Sequence, residues 1–302
     1  MLTQTIANTN EMPRHDIAPF IKLSPDLSKV REMRSENTQE VLAFLAVRPV
    51  HTVVMTSFIN DNGIVSELNR GKFYGYRNSA GTLEGVALIG HSTLFEARTE
   101  DAIAALAFVA KSSETPIHLI MSAGDAADRF WTAYSSGFSE PRLRCEEALF
   151  ETAFPFAVQK CEWNIENADE SQLLQIAEAQ AEVAFIECGV DPMVRDREGF
   201  LKRVLRRIEQ GRIFTVFENG NLVFKADIIA ETDEVIYLEG VYVAAEYRGR
   251  GIGSRCLSSL SLQLLNGVEH ICLLSNVEFE SAHMSFQKAG FRNTDLCTTL
   301  FV

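Results

Sequence analysis

Residues 235–255 read Val-Ile-Tyr-Leu-Glu-Gly-Val-Tyr-Val-Ala-Ala-Glu-Tyr-Arg-Gly-Arg-Gly-Ile-Gly-Ser-Arg. No other stretch restricts the possible folds as tightly. The β-branched and aromatic residues up to Val243 predict a strand. The glycines at 249, 251 and 253 predict a sharp turn. After it, Leu257, Leu260 and Leu264 recur at helical spacing. A strand running through a glycine-rich turn into a helix aims backbone N–H groups and the positive end of the helix dipole at one point, which suits a phosphate anion. Arg248, Arg250 and Arg255 add positive charge beside it.

The rest of the chain fits an α/β protein with a mixed sheet. In the first half, strands are expected over 72–77 and 82–90, a helix capped by Asp101, a strand over 117–121, a helix over 125–136 and a strand over 145–153. Helical patterns over 38–47 and 51–60 precede them, separated by Pro49. In the second half, helices are expected from about 167 to 187 and over 196–210. Strands over 213–217 and 222–229 follow, joined through Asn219-Gly220, a strong hairpin signal. Next come the strand over 234–243, the helix after the glycine turn, a strand over 271–275, a helix over 281–289 and a closing strand over 296–302. Paired strands, helix, strand, helix, strand thus occur twice, without a residue-level repeat. The expected division is an arm at 1–25, one domain at 26–158 and a second at 159–302.

Three phosphate-binding loops are candidates. A nucleotide P-loop requires Gly-x-x-x-x-Gly-Lys-Ser/Thr, which is absent. A dinucleotide loop requires Gly-x-Gly-x-x-Gly in a parallel βαβ unit. Here the last position is Ser254, and a hairpin precedes the loop. The third, Arg/Gln-x-x-Gly-x-Gly/Ala, is matched by Arg248-Gly249-Arg250-Gly251-Ile252-Gly253.

With that motif the chain resembles the GNAT acyl-CoA-dependent N-acyltransferases over roughly residues 165–302. Ala282-x-x-x-Phe286-x-x-Ala289-Gly290-Phe291 adds to the likeness. Glu187 to Pro192, Val223 to Ala226 and Gly240 to Val243 resemble a narrower bacterial subgroup. Phe73 to Tyr76 and Gly85 to Gly90 resemble that subgroup's N-terminal domain. The resemblance implies a tandem GNAT-like architecture, in which a degenerate N-terminal copy precedes the acyl-CoA-binding domain. It also implies acetyl-CoA as co-substrate, with no metal. Its pantetheine arm would bond to the backbone of Val241 and Val243. Its diphosphate would rest on the N–H groups of Gly249, Arg250, Gly251, Ile252, Gly253 and Ser254. Arg248 and Arg250 would screen the phosphate charge, and Asn276 is a further candidate for coenzyme binding.

The implied reaction is direct attack of an amine on a thioester. The ammonium must first lose a proton, which a carboxylate can accept, and the tetrahedral oxyanion needs a hydrogen-bond donor. Glu239 is the preferred base and the Val241 N–H the expected donor. Strand alternation puts both on one face, together with Tyr237. Glu234 and Glu246 sit at strand ends and fit less well. Glu187 and Asp191 are candidates for the acceptor side. Lys225, in an apolar strand, is expected to snorkel to the surface. The sequence departs from the family at Phe286, where a tyrosine that protonates the thiolate is usual, and at Phe279, where an asparagine is frequent. These departures keep a non-catalytic acyl-CoA-binding protein as the alternative.

The formal charge of −13 argues against nucleic acid and anionic membranes as partners and counts against an aminoacyl-tRNA donor. The N-terminal residues lack the apolar core of a signal peptide, so a cytoplasmic protein is expected. The cysteines form no Cys-x-x-Cys pair. The expected partner is an amine acceptor of unspecified identity, and the chain is expected to be a monomer or homodimer.

Overall fold

The structure is a computed structural model that describes residues 25–302. The arm expected at 1–25 falls, save residue 25, outside them. The first half contains β1 (Val30–Glu32), α1 (Thr38–Leu45), α2 (Pro49–Asn62), β2 (Gly71–Arg77), β3 (Leu83–Gly90), β4 (Ser92–Ala97), α3 (Glu100–Lys111), β5 (Leu119–Ala123), α4 (Ala126–Ser135) and β6 (Leu143–Thr152). The second contains β7 (Glu166–Asn167), α5 (Leu173–Cys188), α6 (Pro192–Arg195), α7 (Arg197–Glu209), β8 (Ile213–Glu218), β9 (Asn221–Glu231), β10 (Val235–Val243), α8 (Ile252–Leu264), β11 (His270–Asn276), α9 (Glu280–Lys288) and β12 (Arg292–Phe301).

Local chemistry explains most boundaries. Pro49 occupies the first turn of α2, where its missing N–H costs nothing. Asp169 and Gln172 form a capping box ahead of α5, and the Asp196 carboxylate accepts from Gly199 N–H at the start of α7. Asn219 (φ 51°) and Gly220 (φ 80°) make the tight turn between β8 and β9. Two expectations need correction. Thr99, not Asp101, caps α3 through its side chain, leaving Glu100 and Asp101 in the first turn. Residues 92–97 form β4, a strand the sequence reading omits because it follows β3 with only His91 between them.

All strands among the described residues belong to one twelve-stranded sheet in the order β1-β2-β3-β4-β5-β12-β6-β11-β10-β9-β8-β7. The two halves therefore exchange their last strands. β6 pairs antiparallel with β11 and β12, and β12 pairs antiparallel with β5 and β6. Swapping each strand for its counterpart in the other half reverses the order and leaves it unchanged, so the sheet has a twofold-like pattern centred between β6 and β12.

Packing follows that exchange. Ala148 and Phe150 of β6 enter the same core as Ile236, Leu238, Leu257, Ile271, Leu273, Phe286 and Phe291. Fully burying a side chain of this kind contributes roughly 1.5–3 kcal/mol. On the opposite face, Val53 of α2 packs against Ala230, Val235, Tyr237 and Cys272. Arg212 and Asp61 form an ion pair between the halves at 2.9 Å. No helix among the described residues is long and apolar enough to cross a membrane.

Candidate active site

Strands β10 and β11 run parallel and pair from Val235/His270 to Leu238/Leu273. Beyond that point they part, although both continue. The opening is a cleft of about 660 Å³, walled by residues 239–243 of β10, Leu273 to Ser275 of β11, Glu182, Val183, Ile186 and Glu187 of α5, and the start of α9.

The parting begins at a β-bulge. Glu239 pairs with Asp227 and Tyr242 with Lys225, so Gly240 and Val241 stand opposite Ala226 alone. Gly240 adopts φ +58°, and a Cβ there would lie 2.7 Å from Lys225 Nζ, so only glycine fits. The bulge breaks the strand's alternation. Tyr237 packs with α2, whereas Val241 packs with the opposite core around Leu238 and Leu257. Glu239 and Val241 consequently do not share a face, which corrects the sequence expectation. Tyr237 and Glu239 do: the Tyr237 hydroxyl donates to Glu239 Oε1 at 2.7 Å.

Lys225 is a second correction. It does not snorkel; it is fully buried at 0% exposure. Its Nζ donates to Gln180 Oε1 at 2.7 Å and to Gly240 O at 2.9 Å, and lies 2.8 Å from Asp227 Oδ1. The last contact does not meet hydrogen-bond geometry and leaves Oδ1 without a directed donor, so it is chiefly coulombic. Arg207 pairs with the other Asp227 oxygen at 3.2 Å. Burial presses the Lys225 amine below its ordinary pKa, and Asp227 opposes this.

Glu239 and Glu187 line the acidic side of the cleft, and Glu147 of the first half lies outside the lining but close enough to act on both by its charge. Glu239 is reached by water through the open cleft and is hemmed in by protein elsewhere. Desolvation raises its pKa, with the Tyr237 hydroxyl acting against that. Glu187, on the last turn of α5, is also open to solvent on one side. Desolvation, followed by the Glu239 and Glu147 charges, pushes it up to about 8, and water in the cleft mouth screens part of that repulsion. Glu147 comes from β6. It accepts a hydrogen bond from Thr299, and its pKa is raised mainly by desolvation. The sequence reading missed Glu147, because only the strand exchange brings it near β10. Asp191 caps α6 through Met193 N–H and lies outside the cleft lining. Glu234 and Glu246 also fall outside it.

The glycine turn directly follows Arg248, which is part of the cleft lining. Gly249 and Gly251 have φ +75° and +72°, and Gly251 immediately precedes α8. The backbone N–H groups of residues 249–254 find no protein acceptor among the described residues. Arg248 turns back into the fold: its Nε donates to Val243 O at 2.8 Å, and a terminal nitrogen to Glu182 Oε1 at 2.8 Å. Arg250 lies over the Tyr247 ring and Arg255 over the Trp163 ring. The backbone therefore offers fixed unsatisfied donors here, beside the buried Arg255 Nε, which has no partner among the described residues. Val241, Val243 and Arg248 line the cleft, as do Phe279 and Phe286. Asn276 does not; its side-chain oxygen accepts from Glu278 N–H at 2.9 Å.

Residues 209–293 match the acetyltransferase (GNAT) domain family. The fold is GNAT-like. Among solved structures, a GNAT-family acetyltransferase from Colwellia psychrerythraea is 14% identical, with 91% of this chain and 100% of that chain covered and a TM-score of 0.58. A Drosophila protein is 12% identical over 91% and 98% of the two chains, with a TM-score of 0.66. A tandem GNAT protein from the clavulanic acid biosynthesis pathway is 11% identical over 90% and 98%, at 0.56. No curated protein matches the sequence. The matched domain spans β8 to the start of β12 and includes the bulge, the glycine turn and the β10, β11 and α9 walls of the cleft, but not the α5 wall.

Proposed function

We propose that the chain is an acetyl-CoA-dependent N-acetyltransferase acting by direct attack of an amine on the bound thioester. One observation carries this reading: a cleft between parting parallel strands is lined as far as Arg248, and the glycine turn that follows directly has backbone N–H groups at 249–254 with no protein acceptor among the described residues. Such donors are fixed before a ligand arrives, so binding a diphosphate there orders little else. The pantetheine arm fits along Val241 and Val243. Arg248 reaches the phosphate only by leaving Glu182, so its contribution is secondary to that of the backbone.

In this reading the Glu239 carboxylate takes the proton from the ammonium. The freed nitrogen forms a bond to the thioester carbon while the carbonyl π pair moves onto oxygen, facing the Val241 N–H. Collapse breaks the C–S bond; the nitrogen, which after attack carries one proton more than an amide, gives that proton to the departing thiolate directly or through solvent, and Glu239 releases the first proton to solvent. Phe286 has no proton to give. The buried Tyr237 hydroxyl, whose pKa is raised well above its ordinary value by desolvation and the Glu239 charge, acts as a donor to Glu239 rather than as an acid.

The first half is read as a degenerate GNAT copy that binds no coenzyme. Its repeated element order supports this. At the position equivalent to the glycine turn, Thr99 already satisfies Ala102 N–H, and Glu100 and Asp101 repel phosphate. That half would complete the acceptor side, through Glu147, and cover the back of the sheet, through α2. The absence of a cleft tyrosine at 286 favours a non-catalytic acyl-CoA-binding protein as the second reading. Thiol release from acetyl-CoA across a broad amine panel separates the two. Turnover on any amine supports the enzyme, whereas tight binding without turnover supports the alternative.

A further inference from the structure

The buried Lys225 cluster has no part in the steps above, yet it touches the bulge directly. Burying an ammonium is costly, and an apolar side chain of similar length would fill the same space at lower cost. Here the ammonium donates to Gln180 Oε1 at 2.7 Å and to Gly240 O at 2.9 Å, and the Asp227 carboxylate 2.8 Å away balances its charge. Asp227 is held in turn by Arg207. Gln180 comes from α5, Asp227 from β9 and Arg207 from α7, so the amine is fixed from several elements.

The partner that matters is the Gly240 carbonyl. It belongs to the same planar peptide unit as the Val241 N–H, and in a trans peptide the two dipoles point in opposite directions. Drawing the carbonyl to Lys225 therefore turns the Val241 N–H away from Lys225, and Val241 itself lines the cleft. A cationic donor on the carbonyl also polarises the amide and strengthens its N–H as a donor. At the bulge the regular pairing with β9 is interrupted, so the neighbouring strand alone does not fix this peptide's orientation.

We infer that Lys225 is a positioning residue: anchored by Asp227 and Gln180, it clamps the Gly240 carbonyl and thereby aims and polarises the Val241 N–H toward the thioester oxygen. The inference rests on the acyl-transfer reading and goes beyond it by giving a role to a residue outside the cleft.

The test is difference infrared spectroscopy of acetyl-CoA labelled with ¹³C at the thioester carbonyl, bound to the wild-type chain, to Lys225→Met and to Gln180→Met, with steady-state kinetics on any accepted amine. The wild type is expected to lower the carbonyl stretching frequency relative to free acetyl-CoA. Lys225→Met is expected to lose most of that shift and to lose kcat by about tenfold or more, while its acetyl-CoA KM and affinity stay within about threefold. Gln180→Met, which removes one anchor and keeps the ammonium, is expected to show a smaller loss in the same direction and serves if Lys225→Met does not fold. An unchanged carbonyl shift in both variants, with wild-type kcat, overturns the role of Lys225 and leaves the coenzyme site standing. Failure of the wild type to bind acetyl-CoA overturns the coenzyme reading and this inference together.

Discussion

The Tyr237 hydroxyl donates a 2.7 Å hydrogen bond to Oε1 of Glu239, two residues further along β10. The pair sits where β10 leaves β11, with the tyrosine buried and the carboxylate facing the cleft. If Glu239 is the base, Glu239→Gln lowers kcat by about tenfold or more with little change in acetyl-CoA affinity. A normal rate in that variant reassigns the base.

The same pair sets a pH dependence. A base works only when ionised, so kcat/KM rises with pH as Glu239 loses its proton, at a pH above the ordinary carboxylate range because burial raises its pKa. The Tyr237 hydrogen bond favours the ionised form and opposes that shift. Tyr237→Phe should therefore move the acidic limb of the profile to higher pH, measured with one amine for both proteins so that the amine's own ionisation cancels. A shift to lower pH contradicts the assignment.

Gly251→Asp tests the phosphate loop. Gly251 has φ +72°, a conformation that Asp tolerates better than most residues, and space for a Cβ is present, the nearest atom being 3.8 Å away. The fold should persist by circular dichroism. A carboxylate at the start of α8 should weaken acetyl-CoA binding by about tenfold or more, or ~1.4 kcal/mol, through repulsion of the diphosphate. Unchanged affinity removes the loop from the binding site.

Glu187 links the cleft to stability. Its folded-state pKa of about 8 lies above the ordinary carboxylate value of 4.5, so its ionisation opposes folding. Below the lower value it is protonated in both states and costs nothing. The penalty grows as pH rises between the two values and is complete above the higher one. Glu187→Gln should raise Tm at pH 8.5 by about 1–3 °C, a modest gain because solvent screens an open carboxylate, and should leave Tm unchanged near pH 4. An equal effect at both pH values rules out a titration origin.

The strand exchange should make the two halves unfold as one cooperative unit. Phe150 of β6 is 1% exposed and packs against His283 and Phe286 of α9. Phe150→Ala should cost about 3–5 kcal/mol and lower a single unfolding transition seen by both near-UV and far-UV circular dichroism. Two separate transitions, only one of them shifted, contradict the shared sheet.

The parts of the site legible in the sequence are those built from neighbouring residues. The glycine turn, the hairpin at Asn219-Gly220, the Asp196 cap and the helix after the turn are each encoded within a few residues, and the structure holds them where the pattern puts them. Gly240 was a missed signal: an isolated glycine within a strand pattern often marks a bulge, and the bulge is what turned Val241 away from the face of Glu239. Lys225 and Asp227, two apart in an apolar strand, likewise shared a face and signalled a buried pair rather than a snorkelling lysine. Glu147 had no local signal. Its place beside the cleft depends on β6 entering between β11 and β12, a pairing between residues more than a hundred positions apart that alternation within either strand does not encode.

Titration calorimetry of acetyl-CoA into the wild-type chain and into Gly251→Asp addresses the coenzyme site itself. One site per chain is expected in the wild type, with binding weakened at least tenfold in the variant. Absence of binding heat in the wild type, or equal affinity in both proteins, would contradict a coenzyme held by the backbone of residues 249–254.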